Sequence, residues 1–414
     1  MNTPTFVDLF AGAGGLSEGF VDCGFLPVAY IEKDIYSSLT IKTRSAYHYL
    51  NKKRRLNIYH EFLRQELSRD ELYRMIPDEN LDTVITDELN EGNSKKLAES
   101  IMRNLDSSYD GIDVLIGGPP CQAYSLVGRA RDQYGKEHDP RNYLYRIYIK
   151  FLKTLRPKIF VFENVPGLIS AGNGKLFKDI RKKFHSAGYE IKYELLNAHD
   201  FGVLQRRKRI ILIGWRREFK LAYPEFNKHP VDYLVRDVLL DLPPLHPGES
   251  IEYGEYAGPP TGYLLRYGLR KKNDILTLHI TRSHNDRDRH IYRMAIEMWR
   301  NKRRRLKYTD IPDKYRTHKN ITSFLDRFKV VADDLPYSHT VVAHIAKDGH
   351  YYIHPDIMQL RSLSVREAAR LQSFPDNYYF EGPRTSKFAQ IGNAVPPIMA
   401  KKIAYEINKM LGEI

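Results

Sequence analysis

Two cysteines in 414 residues are too few for a disulfide framework or a cysteine-ligated zinc site, so no metal is expected. No apolar run approaches the length that spans a bilayer, and the chain starts directly into MNTPTFVDLF. Neither a transmembrane helix nor a secretory signal peptide is expected, and the setting read from these absences is a reducing cytoplasm. Internal repeats and low-complexity tracts are lacking too, which excludes solenoids and long disordered arrays. At 42% hydrophobic and 28% charged residues, the composition is that of a folded globular chain long enough for two domains, or for one with a large insertion.

Positive charge is not scarce. Lys and Arg number 65 against 51 Asp and Glu, a formal charge of +14. Between Arg266 and Lys307 the sequence holds 14 Lys/Arg and only 4 Asp/Glu. One short charge run is usually a solvated face. An excess this long and one-signed reads as a surface for a polyanion.

The first half alternates short apolar runs with helical periodicity. Residues 5–10 (TFVDLF) read as a strand, AGAGG as a tight turn, and the next stretch as a helix turning Leu16 and Phe20 inward. A second strand over 27–31 ends at Glu32. Strand, glycine turn, helix, strand and terminal acid form a nucleotide-type half-fold, in which the carboxylate accepts from ribose hydroxyls. Asp8 and Phe10 flank the turn, placed to meet a cofactor's amino acid end and its adenine. Residues 36–75 read as two helices, with the basic run KKRR at 52–55 taken as solvated. A strand over 81–85 leads to Asp87, an acid placed to accept from an adenine amino group.

The stretch that organises the chain is GGPPCQAYS at 117–125, behind the apolar strand 113–116 (DVLI). It puts a cysteine, Cys121, just past a strand end, where ligands gather in open α/β sheets. A lone cysteine is more often a buried structural thiol, and the context after it reverses that reading. Residues 126–143 lack apolar periodicity and read as a long loop beside the thiol, a candidate lid. A helix over 144–155 and a strand over 159–162 (IFVF) end in Glu163, in the same crevice. QRRKR at 205–209 then opens the strand 210–214, and such cations are costly beside an apolar strand unless an anion meets them. From about 226 to 356 proline pairs, tyrosines and cationic clusters replace the αβ rhythm. Helices return over 364–372, and GNAVPP at 392–397 opens a helix through 411. Asn393 reads either as the cap of that helix or as a cofactor contact.

DLFAGAGG, GGPPCQAYS, ENV, QRRKR, RSLSVREAARLQSFPD and GNAVPP, in this order, resemble the DNA (cytosine-5)-methyltransferases of the bacterial restriction–modification type over most of the chain. The resemblance implies an α/β fold: a doubly wound, Rossmann-like, S-adenosylmethionine-dependent methyltransferase domain over 1–225. It also implies a smaller irregular target-recognition domain over 226–383, and a segment over 384–414 that returns to the first domain. Carried over residue by residue, Cys121 would be the nucleophile, Glu163 the acid at the base, and Arg207 and Arg209 the cations there. Asp8, Phe10, Gly12, Gly14, Glu32, Asp87, Pro119 and Asn393 would hold S-adenosylmethionine. DNA contacts are assigned to Gln122, Ser125 and Arg129 beside the thiol, and to Arg270, Lys271, Arg282, Arg303 and Arg304 in the basic region. Double-stranded DNA is the implied partner, with a cognate restriction endonuclease acting separately, and a bacterial monomer associated with the nucleoid through DNA is expected. Pro119 stands where Phe is frequent in the family, and Tyr124 where Phe often is.

Three other readings compete. A tRNA methyltransferase of the same family would use the same catalytic set. A silent DNA-binding regulator would keep the fold without the chemistry. A Rossmann dehydrogenase explains the glycine turn but leaves Cys121, Glu163 and QRRKR without a role.

Overall fold

A computed structural model describes residues 3–120, 144–228 and 232–414. Cys121, Gln122, Ser125, Arg129 and the expected lid 126–143 lie outside the described residues.

Seven strands form one sheet in the order β3-β2-β1-β4-β5-β7-β6: β1 (Thr5–Leu9), β2 (Leu26–Glu32), β3 (Val84–Thr86), β4 (Val114–Gly117), β5 (Ile159–Asn164), β6 (Tyr189–Asn197) and β7 (Lys208–Arg216). β3, β2, β1, β4 and β5 pair in parallel, while β7 runs antiparallel to both β5 and β6. Alternation along each strand feeds two cores. Phe6, Val114, Ile116 and Val161 belong to one, and Val7, Leu9, Leu115 and Phe160 to the other. Being covered on both faces is why these strands read as continuous apolar runs.

Helix α1 (Gly15–Asp22) lies on the Phe6 face, with the last helix, Pro397–Gly412, packed over it. That crossing is close. A Cβ on Gly19 would sit 2.3 Å from the backbone of Ala400 and Lys401, so only glycine fits there. The helices Ser94–Asn104, Leu144–Leu155 and Lys175–Ser186 contribute to the opposite core.

Several expected elements change. Residues 36–75 form three helices, not two: α2 (Ile35–Lys52), α3 (Leu56–Leu63) and α4 (Arg69–Arg74), with a small core of their own around Ala46, Leu50, Tyr59 and Leu72. Ser68 starts α4 with a reciprocal cap to Glu71, a break that charge alternation hides. Leu81 ends a short helical turn, so β3 starts only at Val84. The basic stretch read as irregular contains a 17-residue helix, Asp286–Lys302, capped by Asn285. Ile291, Tyr292, Ala295 and Ile296 are the buried part of its apolar face, with Met294 and Met298 half-buried beside them, and the surrounding charges mask the period.

Asn393 is not the cap of the final helix. It ends the preceding helix, Arg384–Asn393, and Pro396 and Pro397 open the next one, where a missing N–H costs nothing.

The Phe6-side core runs without a break into Tyr263, Leu278, Val341 and Leu363. A two-stranded sheet, β8 (Ser250–Gly254) with β9 (Leu276–Ile280), and a smaller core around Tyr292, Tyr308 and Phe328 complete this part. Buried ion pairs tie it together. Arg370, fully buried, donates to Asp241 and Asp376, and Arg361 donates to Glu367 at 2.7 Å. Arg370→Met removes the cation that joins two buried carboxylates, leaving Asp241 to Arg270 and Asp376 to Arg366 and Tyr256, a loss on the order of 3 kcal/mol. A urea titration is expected to show a clearly lowered midpoint.

Candidate active site

The turn after β1 is built from positive-φ residues: Phe10 at 59°, Gly12 at 56° and Gly14 at 77°. Gly12 donates its N–H to Glu32 Oε2 at 2.8 Å, and Asp34 donates to Oε1 at 2.9 Å. The Glu32 carboxyl therefore sits across the turn from the glycines, and burial pushes its pKa up. Asp87 joins it, because its N–H donates to the Glu32 carbonyl at 3.0 Å. The Asp87 side chain is exposed and accepts from Asn93. Phe10 is half-buried against the Leu9-side core.

Gly14 and Gly15 are closely packed from behind. A Cβ on Gly14 would meet the Tyr378 hydroxyl at 2.9 Å, and one on Gly15 the Val395 carbonyl at 2.4 Å. Gly12 faces open space, with no described residue within 4 Å of a Cβ there. An open glycine face with an acid at its edge is the shape that admits a nucleoside. Asn393 is exposed two residues before Val395, so the GNAVPP segment reaches the turn from its far side.

The second half of the site lies at the ends of β4 and β5. A Cβ on Gly118 would stand 2.6 Å from Glu163 Oε2, so glycine there makes room for the acid. Asn164, buried at 3% exposure, donates to the Pro119 carbonyl at 3.2 Å and accepts from the Val165 N–H. Asn164 thus pins the Pro-Pro approach to position 121. The sequence reading passed over it, although it stands inside the ENV signal.

Arg209 meets Glu163 at 2.8 Å, both nearly buried. The antiparallel register explains the contact. Glu163 pairs with Ile211, so Arg209, two residues earlier on the same face, is its diagonal neighbour. A parallel β7 would carry its opening cations to the other edge of the sheet. Burial pulls the Arg209 pKa down, and Glu163 opposes that pull.

QRRKR is expected to need an anion, and the structure gives Arg207 a different partner. Its guanidinium is fully buried and donates to the carbonyls of Val341 at 2.7 Å, Gly392 at 3.1 Å and Asn393 at 3.4 Å. Two of these carbonyls end the helix Arg384–Asn393, where the helix dipole is negative. Arg207 is a clamp between β7 and that helix end, not a cation at the base. Gln205 is likewise buried, bonding Leu371, Gln372 and the Val341 N–H.

Two assigned DNA contacts change as well. Arg270 is buried, paired with Asp241, and its guanidinium lies 3.4 Å from the centre of the Tyr256 ring. Arg282 donates to the carbonyls of Ile345, Ala346 and Lys347. Both hold loops, Arg270 from a buried position and Arg282 from a half-buried one. Charge counting along a sequence cannot separate such cations from free ones. Lys271, Arg303 and Arg304 are exposed, the last two in surface pairs with Asp334 and Asp310.

The profile of the C-5 cytosine-specific DNA methylases matches residues 79–409. The chain belongs to that family. As a DNA (cytosine-5)-methyltransferase it is similar, at 42% identity over 98% of each chain, to the type II methyltransferase M.Bpa9945I of Bacillus paralicheniformis. It is 30% identical to the type II methyltransferase M1.HphI of Haemophilus parahaemolyticus, over 98% of this chain and 87% of that one. Among solved structures, a putative DNA modification methyltransferase encoded within an Escherichia coli prophage shares the fold. That match has a TM-score of 0.66 at 22% identity, over 99% of this chain and 100% of that one.

Replacing Arg207 by Ala in this methyltransferase orphans the buried carbonyls of Val341 and Gly392 and loses a third bond to Asn393, and a loss of about 3 kcal/mol is expected. Lys208→Ala, on the exposed side of the same strand, is expected to stay within about 0.5 kcal/mol. Parallel denaturation curves test the contrast.

Proposed function

We propose that this DNA (cytosine-5)-methyltransferase modifies a cytosine rotated out of duplex DNA, through a covalent adduct between Cys121 and ring carbon 6. It would do so as the modification arm of a restriction–modification system. The observation that carries the reading is the buried Glu163–Arg209 pair beside the Pro119–Pro120 approach to Cys121.

Carbon 5 of cytosine is a poor nucleophile. Addition of the Cys121 thiolate to carbon 6 moves electron density to carbon 5, which turns one hard step into easier ones. Glu163 donates a proton or hydrogen bond to ring nitrogen 3 and so takes up the charge that the thiolate brings. Arg209 binds the ring's exocyclic oxygen and, as a neighbouring cation, favours the thiolate. Loss of the carbon 5 proton, followed by elimination across carbons 5 and 6, returns the cysteine.

S-adenosylmethionine, when bound, supplies the sulfonium methyl group. Glu32 would accept from its ribose, Phe10 would lie on its adenine, and Asp87 would accept from the adenine amino group. Gly12 and Gly14 shape the turn beneath it, Asp8 lies below the turn, and Pro119 and Asn393 border it.

The recognition region is proposed to span 226–383. Lys271, Arg303 and Arg304 are the surviving phosphate contacts, since exposed pairs such as Arg304–Asp310 are worth only about 0–1 kcal/mol and yield readily to DNA. Gln122, Ser125 and Arg129 would act from the segment after the thiol, at the flipped base and the gap it leaves. A monomer suffices for one flipped base.

Methyl transfer from labelled S-adenosylmethionine to genomic DNA, followed by base-resolution mapping, tests the reading. Label at carbon 5 of cytosine within one short DNA motif is expected. Label in tRNA alone, or in no nucleic acid, would overturn it. Cys121→Ser is expected to bind DNA as the parent does and to transfer no methyl group. Glu163→Gln is expected to lower kcat on the order of 10²–10⁴-fold. Single-turnover assays beside DNA-binding titrations read both variants.

A further inference from the structure

Asp8 is one residue from the end of β1, on the Phe6 face that α1 covers. It is 1% exposed, and among the described residues its Oδ2 has no hydrogen-bond partner. Around it, β2 supplies Tyr30 and Glu32, the first turn of α1 supplies the Ser17 hydroxyl, and Tyr148 comes from the helix Leu144–Leu155. β4 offers only apolar Ile116, its register partner. None of these groups is a cation. The nearby Arg44 guanidinium is engaged by Glu18, Asn377 and two tyrosine rings.

An isolated buried carboxylate is costly unless something positive meets it. Burial, reinforced by Glu32 and only partly offset by Ser17, pushes the Asp8 pKa up to about 8. The empty protein therefore carries Asp8 neutral at pH 7. The methionine end of S-adenosylmethionine carries a sulfonium, an ammonium and a carboxylate, a net positive charge that acts strongly in so dry a place.

We propose that cofactor binding at this turn is proton-linked through Asp8: the carboxylate balances the positive charge arriving above it, and its proton leaves to solvent. This rests on the cofactor reading given above. The sign follows from the ordinary and the raised pKa. Below about pH 8 the proton must be displaced, so affinity rises with pH, by up to about tenfold per unit, and levels off above pH 8. In the absence of cofactor the same group opposes folding. The unfolded chain loses this proton near 3.8, so its contribution to stability falls as pH rises from about 4 to about 8.

Isothermal titration of S-adenosylmethionine at pH 7, in buffers of different ionisation enthalpy, counts the protons released. Close to one proton per cofactor is expected for the parent protein. Asp8→Asn should release none, bind more weakly, and show an affinity that no longer climbs between pH 6.5 and 8. Without ligand at pH 8, that variant should melt at a higher temperature than the parent. 5′-Methylthioadenosine, an uncharged fragment of the cofactor, should bind the parent with no proton release, an arm that needs no variant. Cofactor binding without proton release, or with equal release by Asp8→Asn, overturns the linkage. No binding of S-adenosylmethionine at all overturns the cofactor reading itself.

Discussion

The contact between α1 and the final helix holds the site in shape. Gly15 and Gly19 let the Val395 carbonyl and the Ala400 backbone approach as no side chain would allow. That approach pins the start of α1, and with it the positive-φ turn from Phe10 to Gly14. Glu32 can then reach the Gly12 N–H, and Asp87 can follow Glu32. A helix one turn further out would leave the turn without its back wall and the acids without a fixed partner.

The base-side groups depend on a different constraint, the reversal of β7. An antiparallel strand beside β5 brings its first residues to the edge where the parallel strands end. Arg209 thereby reaches Glu163, while Arg207, two residues before it, is buried and holds Val341 and the helix end at Asn393. One strand opening thus touches Glu163, the stretch around Val341 and the segment behind the glycine turn. The fully buried guanidiniums of Arg361, Arg366 and Arg370 serve the same end further out. Such groups add little net stability beside a well-packed apolar core, but they tolerate few alternative arrangements.

Much of this was legible in the sequence. β1, β2, β4 and β5 show as apolar runs because both faces are buried, and the glycine turn, Glu32 and Glu163 stand at their ends. The resemblance placed Glu163 and Arg209 at the same base, but neither their direct pairing nor its register was legible. Elements that carry charge on most of their faces were harder to see. Asp286–Lys302 shows only four buried apolar side chains among its basic ones, and α4 is six residues long. The roles of Arg207, Arg270 and Arg282 were misread for one reason. A cation bonded to backbone carbonyls or to a distant Asp looks, in sequence, like a cation awaiting a phosphate.

The Gly15–Val395 contact joins positions 380 residues apart in the chain. During synthesis the glycine turn is therefore made early and given its back wall almost last. A ribosome-bound chain has its strands and its acids long before this turn is walled in. A chain cut short before Val395 and Ala400 would keep its strands and acids but lack the wall that holds the start of α1.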